Sequence, residues 1–514
     1  MILLLMTAGF FAPVFVPFSL AAGAAEERCS ASVPSDGGMR NRKYISSAFE
    51  EKLADFIVQS TSIPGISIAV VKGSELIYAR GFGYRNLDAC DPVDPNTRFY
   101  LKSTTKSFTG MAAALLHEEG EIDLDAPITE YLPNLTLPEG INAAQISLRD
   151  HFTHTQPYLD SGLSYRTAFP GNLPEQEFVT HVNNFSQAAD IKFQYSNFGP
   201  VFGAHAIGEH TGINWRDLIS DRIFAPAGMD NSFTSIADAE IGPMAVSYIQ
   251  GEDGEFIATL TKTDAQMHAA GGAVSTANDL SRWIILNLNE GSIEGVQALP
   301  KRVVEHAHSR QVYLDWDFQE YHRFAHGLGI YSADYDGDLL MHHFGGETHV
   351  SFMPEHDLGV VILTNAIADG VAVTHRLAAS IYDMLLDKPD VEEQIAVRLE
   401  AIRVRQSNAN QRKASYLVQL KEDAPGGPAI FAPSELVGHY IDPRLGEMIV
   451  TESAVALNVR FGEMSGQLTR LSGDSFLADI GMWGDLPELF VFRHNRKKAL
   501  VLDWGGRIFS RTED

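Results

Sequence analysis

Strand-like segments occur at two places that are far apart in the sequence, and this separation strongly limits the folds open to the chain. Residues 65–71 alternate as a half-buried strand does, and residues 76–83 return after a Lys-Gly-Ser turn. Further strand-like segments lie at residues 339–343, 351–353 and 359–365. Between these two regions the chain has mostly helix and loop patterns. We therefore predict an antiparallel sheet backed by helices, with a helical lobe beside it, an α/β fold of the α+β type.

The C-terminal part of the chain has a different pattern. A charged, helix-favouring stretch follows Pro389, and a Pro-Gly-Gly-Pro sequence at residues 425–428 ends it. From Ser434 onward, short strand-like runs alternate with turns, which predicts a small all-β domain that is a barrel or a sandwich. The predicted divisions are a signal peptide at residues 1–25, a main α+β domain at 26–389, a helical linker at 390–428 and a C-terminal β domain at 429–514.

The first residues have the features of a secretory signal peptide. An apolar stretch ends in small residues, and Ala22-Gly23-Ala24 or Gly23-Ala24-Ala25 fits a cleavage site. A membrane anchor is the alternative, but Pro13 and Pro17 interrupt the stretch. We therefore expect an exported protein, periplasmic or extracellular, with no stable membrane association once the signal peptide is removed.

Charge and cysteine content narrow the range of partners. The formal net charge is −27, and a protein of this charge repels nucleic acid and anionic membrane surfaces. The two cysteines, Cys29 and Cys90, form either a disulfide or two unpaired thiols. No Cys-x-x-Cys or His-Glu-x-x-His motif is present, so we predict neither metal nor cofactor. The expected partner is a small-molecule or peptide substrate, and the oligomeric state stays open.

The chain contains a single Ser-x-x-Lys motif, Ser103 to Lys106, where the pattern predicts the start of a helix. Three residues along a helix give about 4.5 Å of rise and nearly one turn, so both side chains share a face. A serine hydroxyl becomes a strong nucleophile only when a base removes its proton. Lysine is such a base when burial or a nearby cation lowers its pKa from about 10.4. Ser103 is therefore the candidate nucleophile and Lys106 its candidate base, with a coincidental match as the alternative.

Tyr195-Ser196-Asn197 is the second candidate motif. A tyrosine held near cations acts as a base or carries a proton to a leaving group, which makes Tyr195 a candidate acid or base. Asn197 is a candidate donor to the substrate carbonyl and a candidate partner of Lys106. A second Tyr-x-Asn, which begins at Tyr84, shows that this motif by itself has little specificity.

The third candidate motif, His343-Phe344-Gly345-Gly346, ends a predicted strand. Adjacent glycines let a substrate approach backbone N–H groups closely, as an oxyanion hole requires. We expect the N–H groups of Gly346 and Ser103 to be the two donors, and His343 to add positive charge or move protons. The alternative for this segment is a β-bulge beside a buried histidine.

Together and in this order, the three motifs resemble those of the serine β-lactamase and penicillin-recognising enzyme superfamily, in its class C-like branch. That branch includes class C β-lactamases, D-alanyl-D-alanine carboxypeptidases, D-aminopeptidases and a group of carboxylesterases. The resemblance runs from about residue 50 to 385, and the C-terminal domain resembles a barrel-like module often appended to such hydrolases. It implies that Ser103 is the nucleophile and that Lys106 and Tyr195 are the acid/base pair. The substrate-side residues that it implies are Asn197, His343, Phe344, Gly345 and Gly346.

Departures from the family pattern bear on the substrate. Phe344 stands where the family usually has a hydroxyl that helps to hold the substrate carboxylate. His349 and Val350 replace a common Gly-aromatic pair, and Gln156-Pro157 replaces a usual Ser-Gly. We therefore predict a serine hydrolase that acts through a covalent acyl-enzyme, with uncharged acyl substrates such as esters favoured. The alternatives are a D-amino-acid peptidase or β-lactamase of the penicillin-binding type, and an acyl-binding regulatory protein without turnover.

Overall fold

The computed structural model of the chain describes residues 38–60, 63–189, 192–251, 254–259, 261–367, 369–453, 456–480 and 486–512. The predicted signal peptide lies outside these residues. None of the helices within the described ranges combines the length and apolar character needed to cross a membrane. Cys90 is disulfide-bonded, and the only other cysteine of the chain, Cys29, lies outside the described residues.

One large antiparallel sheet forms the centre of the main domain. The two strand regions predicted from the sequence meet there, because Gly65–Lys72 pairs with Glu75–Asn86 on one side and with Leu358–Thr364 on the other. From edge to edge, the strands are Met39–Arg40, Glu75–Asn86, Gly65–Lys72, Leu358–Thr364, Thr348–Met353, Asp338–Phe344, Tyr331–Tyr335, Tyr321–His326 and Val312–Phe318, and Asp91–Pro92 pairs with Glu75–Asn86. Short two-stranded pairs lie outside the large sheet: Phe99–Tyr100 with Val274–Ser275, Tyr158–Leu159 with Gln187–Ala188, Tyr248–Gln250 with Phe256–Ala258, and Ser292–Ile293 with Val296–Gln297.

Helices cover both faces of the sheet, so successive residues of a central strand enter different cores. Ala69 and Val71 join the apolar core that contains helices Thr105–Glu119 and Ala277–Leu288. Ile68 and Val70 join a second core, on the opposite face, with helices Ser47–Gln59 and Asp369–Leu385. The other α-helices of the main domain are Ile128–Tyr131, Leu148–Thr153, Ser161–Ala168, Phe178–Phe185, Phe198–Thr211, Trp215–Ile219, Ala225–Ala227, Ile236–Ala239 and Lys301–His308.

A long helix, Val391–Asp423, connects the main domain to the C-terminal domain and lies within the predicted linker. After the short helix Pro433–Leu436, the eight strands of a closed barrel follow. They are Gly438–Asp442, Gly446–Glu452, Leu457–Phe461, Met464–Ser472, Ser475–Ala478, Glu488–His494, Leu500–Trp504 and Arg507–Arg511. The predicted fold class, an antiparallel sheet with a helical lobe and a barrel-like C-terminal domain, is confirmed.

One of the barrel turns that pack against the helical lobe of the main domain lies at Gly462 and Glu463. The backbone N–H of Glu463 donates a hydrogen bond to the carbonyl of Pro170, at 2.8 Å. Beside this contact, the ring of Phe461 stacks on that of Tyr165, with 6.1 Å between ring centroids. Gly462 lies at the tip of the turn with a φ of +59°, and a Cβ there would lie 2.0 Å from the Pro170 carbonyl oxygen. The close approach of this turn to the lobe therefore depends on glycine.

Candidate active site

Ser103 lies in a short 3-10 turn, Lys102–Thr104, which leads directly into the helix Thr105–Glu119. This turn contacts the end of strand Asp338–Phe344, and Gly345 is the point of closest approach. A Cβ on Gly345 would lie 1.8 Å from the Leu101 carbonyl oxygen, so only glycine allows the contact. The third motif is thereby held against the Ser103 turn.

Gly346 follows with a φ of +61°, in the left-handed region that glycine adopts without strain. No hydrogen bond to its backbone N–H is found within the described residues. An unpaired N–H beside the Ser103 turn is suited to receive a developing oxyanion. The assignment of Gly346 and Ser103 as the two donors stays a prediction.

Lys106 is buried on the first turn of the helix, below Ser103. Its Nζ lies 3.0 Å from Ser103 Oγ and donates hydrogen bonds of 2.8 Å to Asn197 Oδ1 and to the carbonyl oxygen of Ala270. Burial lowers the pKa of Lys106 to about 7. A sizeable fraction of this lysine is therefore neutral near pH 7, within reach of the serine proton.

Tyr195 has its hydroxyl buried beside Ser103. Burial raises the pKa of Tyr195, while the nearby Ser103 hydroxyl and the positive charge of Arg323 oppose this rise. Tyr195 Oη makes no hydrogen bond of standard geometry among the described residues. Lys106 Nζ lies 4.8 Å from the centroid of the Tyr195 ring. Tyr195 is thus a protonated phenol at neutral pH, which suits a proton donor better than a base.

His154 supports the position of Tyr195. It ends helix Leu148–Thr153 in the left-handed conformation, with a φ of +60°. Its ring lies 4.8 Å from the ring of Tyr195, and its carbonyl accepts a 2.9 Å hydrogen bond from the Gln194 N–H. His151, one turn earlier, lies 2.8 Å from the Tyr158 hydroxyl. Both histidines therefore have structural positions.

His343 and Phe344 are consecutive residues at the end of strand Asp338–Phe344, and their ring centroids lie 5.9 Å apart. The buried His343 ring faces Tyr195, with 6.2 Å between ring centroids. Burial, and then the charge of Lys106, hold the pKa of His343 well below its usual value, so this imidazole is neutral rather than a source of positive charge. The Phe344 ring also packs against Phe318, at 4.8 Å, and His375, at 5.3 Å. The expectation that the Phe344 side chain contacts substrate stays a prediction.

A pocket of about 270 Å³ opens beside Ser103. Asn197 and Lys102 line it, together with residues of the loops around positions 245 and 262. The barrel also contributes to the wall through Glu463 and Met464, the residues of the turn that contacts Pro170. The C-terminal domain thus helps to shape the site.

Some residues of the site carry no signal in the sequence. Ala270 acts through its backbone carbonyl, so its side chain gives no indication of its contact with Lys106. Arg323 is 3% exposed and has no hydrogen-bond partner for Nη2 among the described residues. Its guanidinium lies between the rings of Phe318 and Tyr331, at 3.5 and 3.8 Å from their centroids. Its position near Tyr195 depends on strand pairing that no local pattern specifies.

A group of side chains with metal-ligand chemistry lies outside this pocket. The ligand atoms of His117, Glu118 and His306 lie within 4.8 Å of one another. Arg302 Nε is 3.1 Å from the Glu118 carboxylate, and Arg149 Nη1 is 3.0 Å from His306 Nε2. Since cationic side chains already contact these ligand atoms, the group forms part of an ion-pair network.

Three relatives share much of the chain. A protein named unguisins hydrolase, from Aspergillus campestris, is 24% identical over 420 residues, which are 76% of this chain and 74% of the relative. A β-lactamase of Escherichia coli is 25% identical over 346 residues, which are 60% of this chain and 86% of that protein. Protein flp of Staphylococcus aureus is 22% identical over 334 residues, which are 61% of this chain and 62% of that protein.

A solved structure has the same fold. The octameric penicillin-binding protein homologue from Pyrococcus abyssi covers 90% of this chain with 100% of its own, at a TM-score of 0.59 and 21% identity. The family model described as Beta-lactamase matches residues 46–381, which is more than half of the chain. The chain therefore belongs to the Beta-lactamase family, within the serine β-lactamase and penicillin-binding protein superfamily.

Proposed function

We propose that this protein is a hydrolase in which Ser103 forms a covalent acyl-enzyme and Lys106 is the base that activates it. The observation that carries the proposal is the 3.0 Å separation between Lys106 Nζ and Ser103 Oγ, at a lysine whose pKa burial lowers to about 7. A base with a pKa near the working pH combines a large neutral fraction with useful proton affinity.

In the proposed reaction, neutral Lys106 takes the proton of Ser103 as Oγ attacks the substrate carbonyl carbon. The oxyanion that forms accepts hydrogen bonds from the N–H groups of Ser103 and Gly346. Tyr195 gives its proton to the leaving group as the bond to that group breaks, and it recovers a proton from protonated Lys106. Water then attacks the carbonyl carbon of the acyl-enzyme and gives a proton to the same pair. This proton passes to Ser103 Oγ as its bond to the acyl carbon breaks and the acid is released.

Esters are the favoured substrates. The family holds the carboxylate of a β-lactam or peptide with a hydroxyl in the third motif, and Phe344 supplies none. The nearest hydroxyl along the chain, that of Thr348, is buried and donates to the Leu101 carbonyl at 3.1 Å, with Thr104 Oγ1 at 3.0 Å. It is already engaged, so it does not replace the missing contact.

The test compares a short-chain nitrophenyl ester with a chromogenic cephalosporin, using the purified protein and Ser103→Ala as the control. We expect ester turnover without cephalosporin turnover, and neither in the variant. Cephalosporin turnover would favour a β-lactamase, which is the activity that the name of the Escherichia coli relative states. A stoichiometric burst without turnover would instead support an acyl-binding regulatory protein.

The pH dependence of ester hydrolysis tests the role of Lys106. We expect kcat/KM to rise with pH through about 7, because the ammonium form of Lys106 is not a base and the neutral form gains population above its pKa. The lowered pKa places this rise below pH 8, well short of the range of an ordinary lysine. The measurement is kcat/KM between pH 5 and 9, and a profile that is flat across pH 6–8 would contradict the assignment.

A further inference from the structure

Lys262 is a second cationic side chain in the wall of the pocket that Ser103 opens into. It is half-buried, and no carboxylate among the described residues lies within ion-pair distance of its Nζ. Its hydrogen bond goes to the backbone carbonyl of Ala168. The ammonium also lies 4.8 Å from the ring centroid of Phe169 and 5.9 Å from that of Tyr100.

The neighbouring Lys102 differs from Lys262 because its positive charge is balanced by a carboxylate. Lys102 forms an ion pair with Glu347, whose side chain is 5% exposed. Lys262 has no equivalent acid in the described part of the chain, and the positive charge of Lys102 acts on it unfavourably. Of the two lysines that line the pocket, Lys262 is therefore the one with charge left to offer a ligand.

Withdrawing an ammonium group from water is costly unless an opposite charge or several hydrogen bonds replace the water. At Lys262, the Ala168 carbonyl and the rings of Phe169 and Tyr100 replace only part of the lost hydration. Burial, and then repulsion from Lys102, lower the pKa of Lys262 to about 7. An anion bound in the pocket would raise the pKa of Lys262 again. Its negative charge would stabilise the protonated ammonium and would balance the positive charge of that group.

We propose that Lys262 binds a carboxylate of the substrate, at the far end of the group that reacts with Ser103. This proposal rests on the proposed function and names its substrate class: an ester or amide whose remote part carries a carboxylate, in place of the uncharged acyl group expected from the sequence. Much of the pocket wall is apolar, with Ile236, Met244 and Met464 among its residues, which suits a short hydrocarbon chain.

The proposal also accounts for the third motif. Phe344 lacks the hydroxyl with which the family holds a substrate carboxylate. In this proposal Lys262, which lies outside all three motifs, binds the carboxylate instead. An ester with a remote carboxylate needs no hydroxyl at position 344. The two features therefore fit one substrate class.

The test uses two esters that differ only in charge, the mono-nitrophenyl ester of adipic acid and the same ester with its free acid methylated. Both are assayed with the wild-type protein, Lys262→Met, Lys262→Gln and the matched control Lys301→Met. Lys301 is an exposed lysine paired with Glu290 and is not part of the pocket wall. The measured quantity is the ratio of kcat/KM for the charged ester to that for the neutral ester.

We expect this ratio to favour the charged ester in the wild type and in Lys301→Met, and to fall about tenfold in both Lys262 variants. A ratio that is the same in all four proteins would overturn the proposal and leave the hydrolase function standing. Thermal unfolding of each variant shows whether a change in ratio accompanies a loss of folding.

A second measurement separates failure of the Lys262 site from failure of the hydrolase function. Calorimetric binding of adipate to Ser103→Ala, and to Ser103→Ala with Lys262→Met, at pH 6 requires no turnover. Binding that disappears with Lys262 would support the site even if neither ester is hydrolysed. Equal binding to both proteins, or none to either, would overturn it.

Discussion

Ser103→Ala is expected to abolish ester turnover, with a fall in kcat of at least about 10³-fold, because Ser103 Oγ is the pocket hydroxyl that lies within hydrogen-bond distance of Lys106 Nζ. The free energy of unfolding is expected to change by no more than about 1 kcal/mol, since Ser103 is half-buried and loses one hydrogen bond. Lys106 keeps its contacts with Asn197 and Ala270 in this variant. Loss of activity therefore reports on the nucleophile rather than on the fold.

Ser107→Ala is the matched control for this experiment. Ser107 is buried one turn further along the same helix and donates its hydroxyl to the Thr104 carbonyl at 2.8 Å. It makes no contact with Lys106 among the hydrogen bonds of the described residues. We expect Ser107→Ala to keep its activity. After incubation with a slowly hydrolysed ester, intact-mass analysis is expected to detect an acyl adduct on Ser107→Ala and none on Ser103→Ala. Turnover retained in Ser103→Ala would contradict the assignment of the nucleophile.

Lys106→Ala is expected to lower kcat by about 10²–10⁴-fold, the usual contribution of a general base. The substitution also leaves Asn197 Oδ1 and the Ala270 carbonyl without the Lys106 donor, and this structural change is a second cause of lost activity. Two further measurements separate these causes. Lys106→Arg keeps the positive charge but is never deprotonated near neutral pH, so we expect it to be inactive as well.

Rescue of Lys106→Ala by an added amine distinguishes loss of the base from altered structure more directly than Lys106→Arg does. The space left by the lysine side chain in Lys106→Ala admits a small primary amine such as methylamine. We expect methylamine to restore part of the activity, with a rate that follows the concentration of its neutral form. Lys301→Ala, at an exposed position, serves as the control that gains nothing from the amine. Activity retained in Lys106→Arg, or no rescue from a folded Lys106→Ala, would indicate a structural role instead.

The arrangement of Ser103 and Lys106 was predictable because it depends on residues close in sequence. A spacing of three along a helix brings two side chains to one face wherever the helix lies. The same holds for the hairpin of Gly65–Lys72 and Glu75–Asn86, which alternation and a Lys-Gly-Ser turn indicate. The barrel followed from short strands separated by turns, although the pattern did not distinguish it from a sandwich.

Other features depend on residues that only the folded chain brings together. The sequence placed Phe344 at the substrate, and only the structure shows that its ring packs against Phe318 and His375. His343 was expected to supply charge, and burial makes it neutral. The sequence by itself determined the candidate nucleophile, its base and the strand and helix content, because these follow from local spacing and periodicity. The tertiary structure alone decided which groups are charged and what lines the pocket, since desolvation and contact depend on distant segments.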